Sequence, residues 1–195
     1  MEEIRLKQAK NQKSEKKKGE ESSQYRWAVT VFLLAVALSA ALSLASESML
    51  SGAGMAVALL ILGLFIALGI VFDILGVAVT AADPRPFHSM ASHKEPGAKE
   101  ALNLLRNASH VSSVCNDVVG DICGIVSGTT GAVIVTRLQS AFNLQNVLLS
   151  MAVTALVSGF TIGGKALGKN FAMKQSTEVV FLAGRFLHIF HRSSK

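Results

Sequence analysis

Four long apolar stretches, at about 27–46, 55–82, 111–136 and 145–163, decide what this chain can fold into. A helix needs about 20 apolar residues to cross a bilayer, and inside the hydrocarbon every backbone polar group must be satisfied internally. Half of the 195 residues are hydrophobic and only 16% are charged, a balance that excludes a disordered chain and disfavours an ordinary soluble domain. The expected class is all-α: a polytopic membrane protein with four transmembrane helices and interfacial amphipathic helices.

The charges are segregated. Residues 1–26 are rich in Lys and Glu, Lys16-Lys17-Lys18 among them, and read as a disordered cytoplasmic tail beside anionic lipid. The 47–54 loop carries Glu47 and no Lys or Arg, and 137–144 carries only Arg137, whereas 83–110 holds Arg85, Lys94, Lys99 and Arg106. The positive-inside rule therefore places both termini and the 83–110 loop in the cytoplasm of a plasma or inner membrane. Ala-Leu-Ser-Leu-Ala-Ser at 41–46 resembles a signal cleavage site, but the long preceding tail and the full-length apolar run favour a retained helix.

Between the second and third spans, Pro84 and Pro86 stop the helix, and two short helices broken at Pro96-Gly97 follow. In the second, Ala98, Ala101, Leu102 and Leu105 form one apolar face, which suits a connector lying on the membrane surface. Residues 170–195 form another amphipathic cytoplasmic helix, with Val179, Val180, Leu182, Phe186 and Leu187 on its apolar side.

Within the spans, small and oxygen-bearing residues recur at helical spacing. The second carries Gly69, Asp73, Gly76 and Thr80. The third carries Ser113, Asn116, Asp117, Gly120, Asp121, Gly124 and Ser127, and the fourth Ser150, Thr154, Ser158, Thr161 and Lys165. Glycines and hydroxyls of this kind are explained by close helix packing. Carboxylates are not, because in hydrocarbon they persist where they face a bundle interior, pair, or hold an ion or proton. Asp117 and Asp121 are four apart and share a helix face, roughly 6 Å from each other. Counted at 1.5 Å per residue, Asp73, Asp117 and Asp121 fall at a common depth of roughly 10–17 Å from the cytoplasmic side. With Asn116, Ser112, Ser113 and Ser127 nearby they supply the all-oxygen donor set that Mg²⁺, Ca²⁺ or Na⁺ requires. Lys165 either neutralises one of the acids or snorkels to headgroups.

Other chemistry is poorly represented. Cys115 and Cys123 lie roughly 12 Å apart along one helix, too far to bridge, and lack zinc-site spacing. His88, His93 and His110 are scattered near one interface. No catalytic triad or phosphate-binding loop is present, so an enzyme is not expected, and the absence of interleaved aromatics speaks against nucleic acid.

Three stretches carry a resemblance. Ala78-Val-Thr-Ala-Ala is similar to a helix end of the form E-T-A-x-x-A. Gly97-Ala-Lys-Glu-Ala-Leu-Asn-Leu-Leu-Arg looks like a G-x-x-A-x-x-x-L-x-L connector, and Gly164-Lys165-Ala166-Leu167-Gly168 through Ala172 looks like P-K-x-L-G-x-x-x-A. From about Ile61 to Phe190 the chain thereby resembles the transmembrane domain of the cyclin-M/CorC/CorB group, linked to Mg²⁺ and Co²⁺ transport. The resemblance implies a three-helix core preceded by one added span, with coordination by serine, asparagine and glutamate oxygens. Asn116 matches the asparagine, and Ser112 and Ser113 approximate the serine. The family's glutamate position falls on Gly76, with Asp73 almost one turn away as a replacement, and a second glutamate falls on Thr161. The paired CBS modules of the family have no counterpart in this sequence.

The reading that results is a homodimeric, lipid-embedded protein that binds and transports a divalent cation, Mg²⁺ first, with Co²⁺ or Na⁺ as other candidates. Its ligands are expected among Asn116, Ser112, Ser113, Asp73, Asp117 and Asp121, supported by Ser127, Gly76, Gly120 and Lys165. The alternative is a non-transporting membrane module that assembles with or regulates another membrane protein.

Overall fold

The computed structural model describes residues 2–142 and 147–193. Among them the protein is all-helical, in the order α1 (Glu2–Leu50), α2 (Met55–Ala81), α3 (Arg85–Ser92), α4 (Ala98–Arg106), α5 (Ala108–Ser113), a π-helical turn (Val114–Gly120), α6 (Asp121–Phe142), α7 (Val147–Lys174) and α8 (Ser176–Ser193). Four stretches are long and apolar enough to cross a membrane: Tyr25–Leu50, Met55–Ala81, Ala108–Ala141 and Val147–Lys174. The protein is therefore membrane-embedded. The expected start of the fourth span at 145 lies outside the described residues. Helix α1 begins at Glu2, so the stretch expected to be a disordered tail is helical, in keeping with its Lys, Glu, Gln and Ala content.

The chain divides into two units between Leu38 and Ser39, within α1. In the first, Phe32, Leu33 and Val36 are exposed, as lipid-facing side chains would be. In the second, α2 is the central helix. Ala58, Ile61, Leu62, Phe65, Gly69, Asp73 and Gly76 recur every three or four residues and form its buried stripe, while Leu59, Leu60, Leu64 and Val71 point outward. That stripe packs on α5, the π-turn, α6 and α7.

Glycine decides how closely α7 approaches. A methyl group at Gly164 would collide with Ile70 Cδ1, and one at Gly168 would lie 2.8 Å from Ile74 Cγ1. The spacing of four puts both on one face, a small-xxx-small contact. The polar stripe expected along the fourth span is turned elsewhere. Thr154 and Ser158 are exposed, and the Thr154 and Thr161 hydroxyls donate to the carbonyls of Ser150 and Val157 in their own helix.

At one end of the bundle α3, α4 and α8 form a collar. Ala78 and Val79 of α2, Phe87, Ala101, Ala172 and Val180 are all fully buried together there. Pro84 and Pro86 end α2 and open α3, and Gly97, with φ 92°, turns the chain into α4. A methyl group at Gly97 would sit 2.6 Å from the Arg185 backbone nitrogen, and one at Gly184 would strike the Gly97 carbonyl. Gly184 thus admits the Gly97 backbone, and Gly97 that of Arg185. His188 Nδ1 and Glu100 Oε1, 2.8 Å apart, fasten α8 to α4.

Candidate cation site

The polar layer is built around the π-turn. An extra residue in a helical turn widens it and interrupts the regular hydrogen-bond ladder, a device concentrated at functional sites. Here the turn spans Val114–Gly120 and carries Asn116 and Asp117, with Asp121 just beyond. Two glycines of α2 receive it. A methyl group at Gly69 would lie 3.2 Å from Cys123 Cβ and 3.5 Å from the Gly120 oxygen. At Gly76 it would overlap the Asn116 side-chain amide. Asp73 lies between these two close approaches.

Gly76 and Asn116 are the positions that the resemblance equates with a glutamate and an asparagine ligand, and they touch. Asn116 Nδ2 donates to Ser112 Oγ at 3.3 Å. Its Oδ1 is buried and has no hydrogen-bond partner among the described residues. A buried amide oxygen left unpaired costs about 1–3 kcal/mol, so this group calls for an explanation.

The acids separate. Asp73 is buried, with 7% of its surface exposed. Lys165 Nζ, on α7, stands 4.0 Å from Asp73 Oδ1 and 3.8 Å from Asp121 Oδ1, and donates to the Gly120 carbonyl at 3.5 Å. Lys165 is a bridge between α2 and the third span, and does not extend to headgroups. Gly120 is tightly surrounded here, since a methyl group would lie 3.2 Å from the Cys115 carbonyl and 3.4 Å from Lys165 Nζ.

Three expectations are corrected. Asp117 and Asp121 do not form an inward pair. Asp117 is exposed and unpaired among the described residues, and the Asp121 side chain is 69% exposed, so the face they were expected to share does not point into the bundle. Ser127 is buried but lies roughly 9 Å further along α6 and donates to the Gly124 carbonyl, so it is no part of the layer. The donor cluster of three acids is not assembled: among the described residues no three His, Cys, Asp or Glu side chains gather in metal-holding geometry. Ser113 is half-buried, one residue from Ser112 and beside the π-turn. Cys115 and Cys123 are free and buried.

Sequence reasoning missed a second polar junction at the opposite end of the bundle. Ser46 Oγ and Thr130 Oγ1 are 3.2 Å apart and buried. Arg137 donates from Nη1 to the Ala53 carbonyl and from Nη2 to the Leu50 carbonyl, both at 2.7 Å. It thereby satisfies the Leu50 carbonyl at the end of α1 and the Ala53 carbonyl of the turn that follows. No family model, curated protein or solved structure matches this chain, so the likeness to the cyclin-M/CorC/CorB group rests on its motifs alone.

Proposed function

We propose that this protein binds Mg²⁺, or a comparably hard cation such as Co²⁺ or Na⁺, as cargo in the layer between α2, the π-turn and α7, and carries it across the membrane. The observation that carries the reading is the Asn116 carbonyl oxygen, buried and without a hydrogen-bond partner among the described residues, on an amide whose Nδ2 donates to Ser112 Oγ. Hard cations take such oxygens together with carboxylates and water. In the geometry described, Lys165 occupies the carboxylates as a tethered cation. Entry of a divalent ion requires it to withdraw, which frees Asp73 and Asp121 to balance the incoming charge. Alternating exposure then follows from competition between Lys165 and the ion for the same two acids. The positive-inside rule orients the collar and both termini towards the cytoplasm.

The test is ion flux and ion-dependent stability in the same preparation. Mg²⁺ should raise the unfolding temperature of the purified protein and drive flux in proteoliposomes, and both should be lost in Asp73→Asn and Asn116→Ala. Unchanged flux in both variants would sink the reading.

One observation favours the second reading, a non-transporting module that assembles with another membrane protein or a second copy. Asp117 is a carboxylate exposed on a spanning helix, where lipid does not satisfy it and a partner's donor does. Under that reading Asp117→Asn abolishes co-purification of the partner or self-association, and leaves ion responses absent throughout.

A further inference from the structure

At the end of the bundle away from the collar, a half-open cleft of about 450 Å³ lies between the last turns of α1 and the flank of α6. Its lining includes Ser43, Glu47, Thr129, Thr130, Val133 and Arg137. Arg137 sits four residues before Ala141, where the third span ends, and Glu47 three before Leu50, where α1 ends. Both charges therefore stand at the level where hydrocarbon gives way to headgroups.

Two features of the lining point to one ligand chemistry. First, Glu47 and Arg137 line the same cleft without forming an ion pair with each other. A lone cation would be opposed by the guanidinium and a lone anion by the carboxylate, whereas a zwitterion answers both. Arg137 spends two of its five N–H groups on the Leu50 and Ala53 carbonyls, which leaves donors for a phosphate. Second, the neighbouring hydroxyls are committed as donors. Thr129 and Thr130 both donate to the Val126 carbonyl, at 2.9 and 2.8 Å. Thr130 is buried and its oxygen already accepts from Ser46, so what the cleft is offered is the lone pairs of the exposed Thr129, matched to a ligand group rich in N–H.

We infer that this cleft binds a zwitterionic aminophosphate, its phosphate on Arg137 and its primary ammonium on Glu47 and the Thr129 oxygen. The cleft opens on the flank of two spanning helices beside the aliphatic Val133, so the source expected is the headgroup of a phosphatidylethanolamine-type lipid. The inference stands independently of the proposed cation site, with which it shares no residue.

The experiment uses the full chain in detergent micelles, with lipid binding read by native mass spectrometry and thermal shift. Probes are phosphatidylethanolamine, phosphatidylcholine, phosphatidylglycerol and water-soluble glycerophosphoethanolamine. Phosphatidylethanolamine should bind about tenfold more tightly than phosphatidylcholine, whose quaternary ammonium has no N–H to donate. Glu47→Gln should erase that preference and leave phosphatidylglycerol binding unchanged, while Glu47→Lys should shift preference to phosphatidylglycerol. The Glu47 carboxylate bonds to no other described residue, so these variants leave the fold intact. Equal binding of the two zwitterionic lipids, or a preference that survives Glu47→Gln, would overturn the assignment. Binding of glycerophosphoethanolamine that equals the lipid's and is lost in Glu47→Gln would uphold the chemistry with a soluble source.

Discussion

Replacing Gly76 with alanine tests whether the contact between α2 and the π-turn organises the polar layer. The new methyl group would overlap Asn116 Oδ1 and stand 2.7 Å from its Cγ and 3.0 Å from its Nδ2. Because Cγ itself is too close, spinning the amide about its own bond does not clear the clash. The whole side chain must leave its rotamer, or α2 must move away from the third span. The first route breaks the Asn116–Ser112 hydrogen bond, worth about 1 kcal/mol, and the second incurs an overpacking cost of about 1–3 kcal/mol. Against this, alanine is favoured over glycine in a helix interior by about 1 kcal/mol. The net expectation is destabilisation by up to about 2 kcal/mol.

The sign of the effect should depend on Asn116. In an Asn116→Ala background the obstacle is gone, and Gly76→Ala should stabilise by up to about 1 kcal/mol through backbone propensity alone. The difference between the two backgrounds is a coupling energy of about 1–3 kcal/mol, within the range for residues in direct contact. Equilibrium unfolding in mixed micelles, followed by circular dichroism across the four proteins of the cycle, measures it. If Gly76→Ala has the same effect with and without the asparagine side chain, the contact is not where the structure puts it.

Three further perturbations address the rest of the bundle. Lys165→Met leaves Asp73 buried without its cation and should cost about 3 kcal/mol in the same unfolding assay, most of it recovered by adding Asp73→Asn. Thr130→Val removes the partner of the buried Ser46 hydroxyl and should cost about 0.6–1 kcal/mol, with Ser46→Ala adding little more in the double variant. Gly184→Ala drives a methyl group into the Gly97 carbonyl and to 2.9 Å from Ala101 Cβ, so α8 should lift from α4. Faster hydrogen exchange and proteolysis confined to 176–193 would report it, and unaltered protection would count against the collar as described.

What could be read from the chain alone follows the reach of each physical signal. The spans are legible because burying about 20 apolar residues in lipid is a large, additive effect that no local interaction overrides. The collar was half legible. Pro84, Pro86 and Pro96-Gly97 mark where α3 and α4 begin and end, but nothing local to Gly184 says that it admits Gly97. That pairing joins positions far apart in sequence through the absence of two side chains. The same limit hid the Ser46–Thr130 contact and the two carbonyls held by Arg137.

The acids show how a correct premise leads to a wrong partner. Placing Asp117 and Asp121 on one helix face left open which way that face points, and the hydropathy of Val114–Gly120 is the same whether the turn is α or π. Once the turn takes in an extra residue, the phase shifts: Asn116 falls against Gly76, Asp121 swings to the rim within reach of Lys165, and Asp117 faces outward. Depth, by contrast, survives the change, since an inserted residue alters rise far less than direction. Lys165 could be named as a candidate neutraliser from its place near the end of the fourth span. Which carboxylates it meets depends on direction, and a single residue in a single turn is enough to reset that.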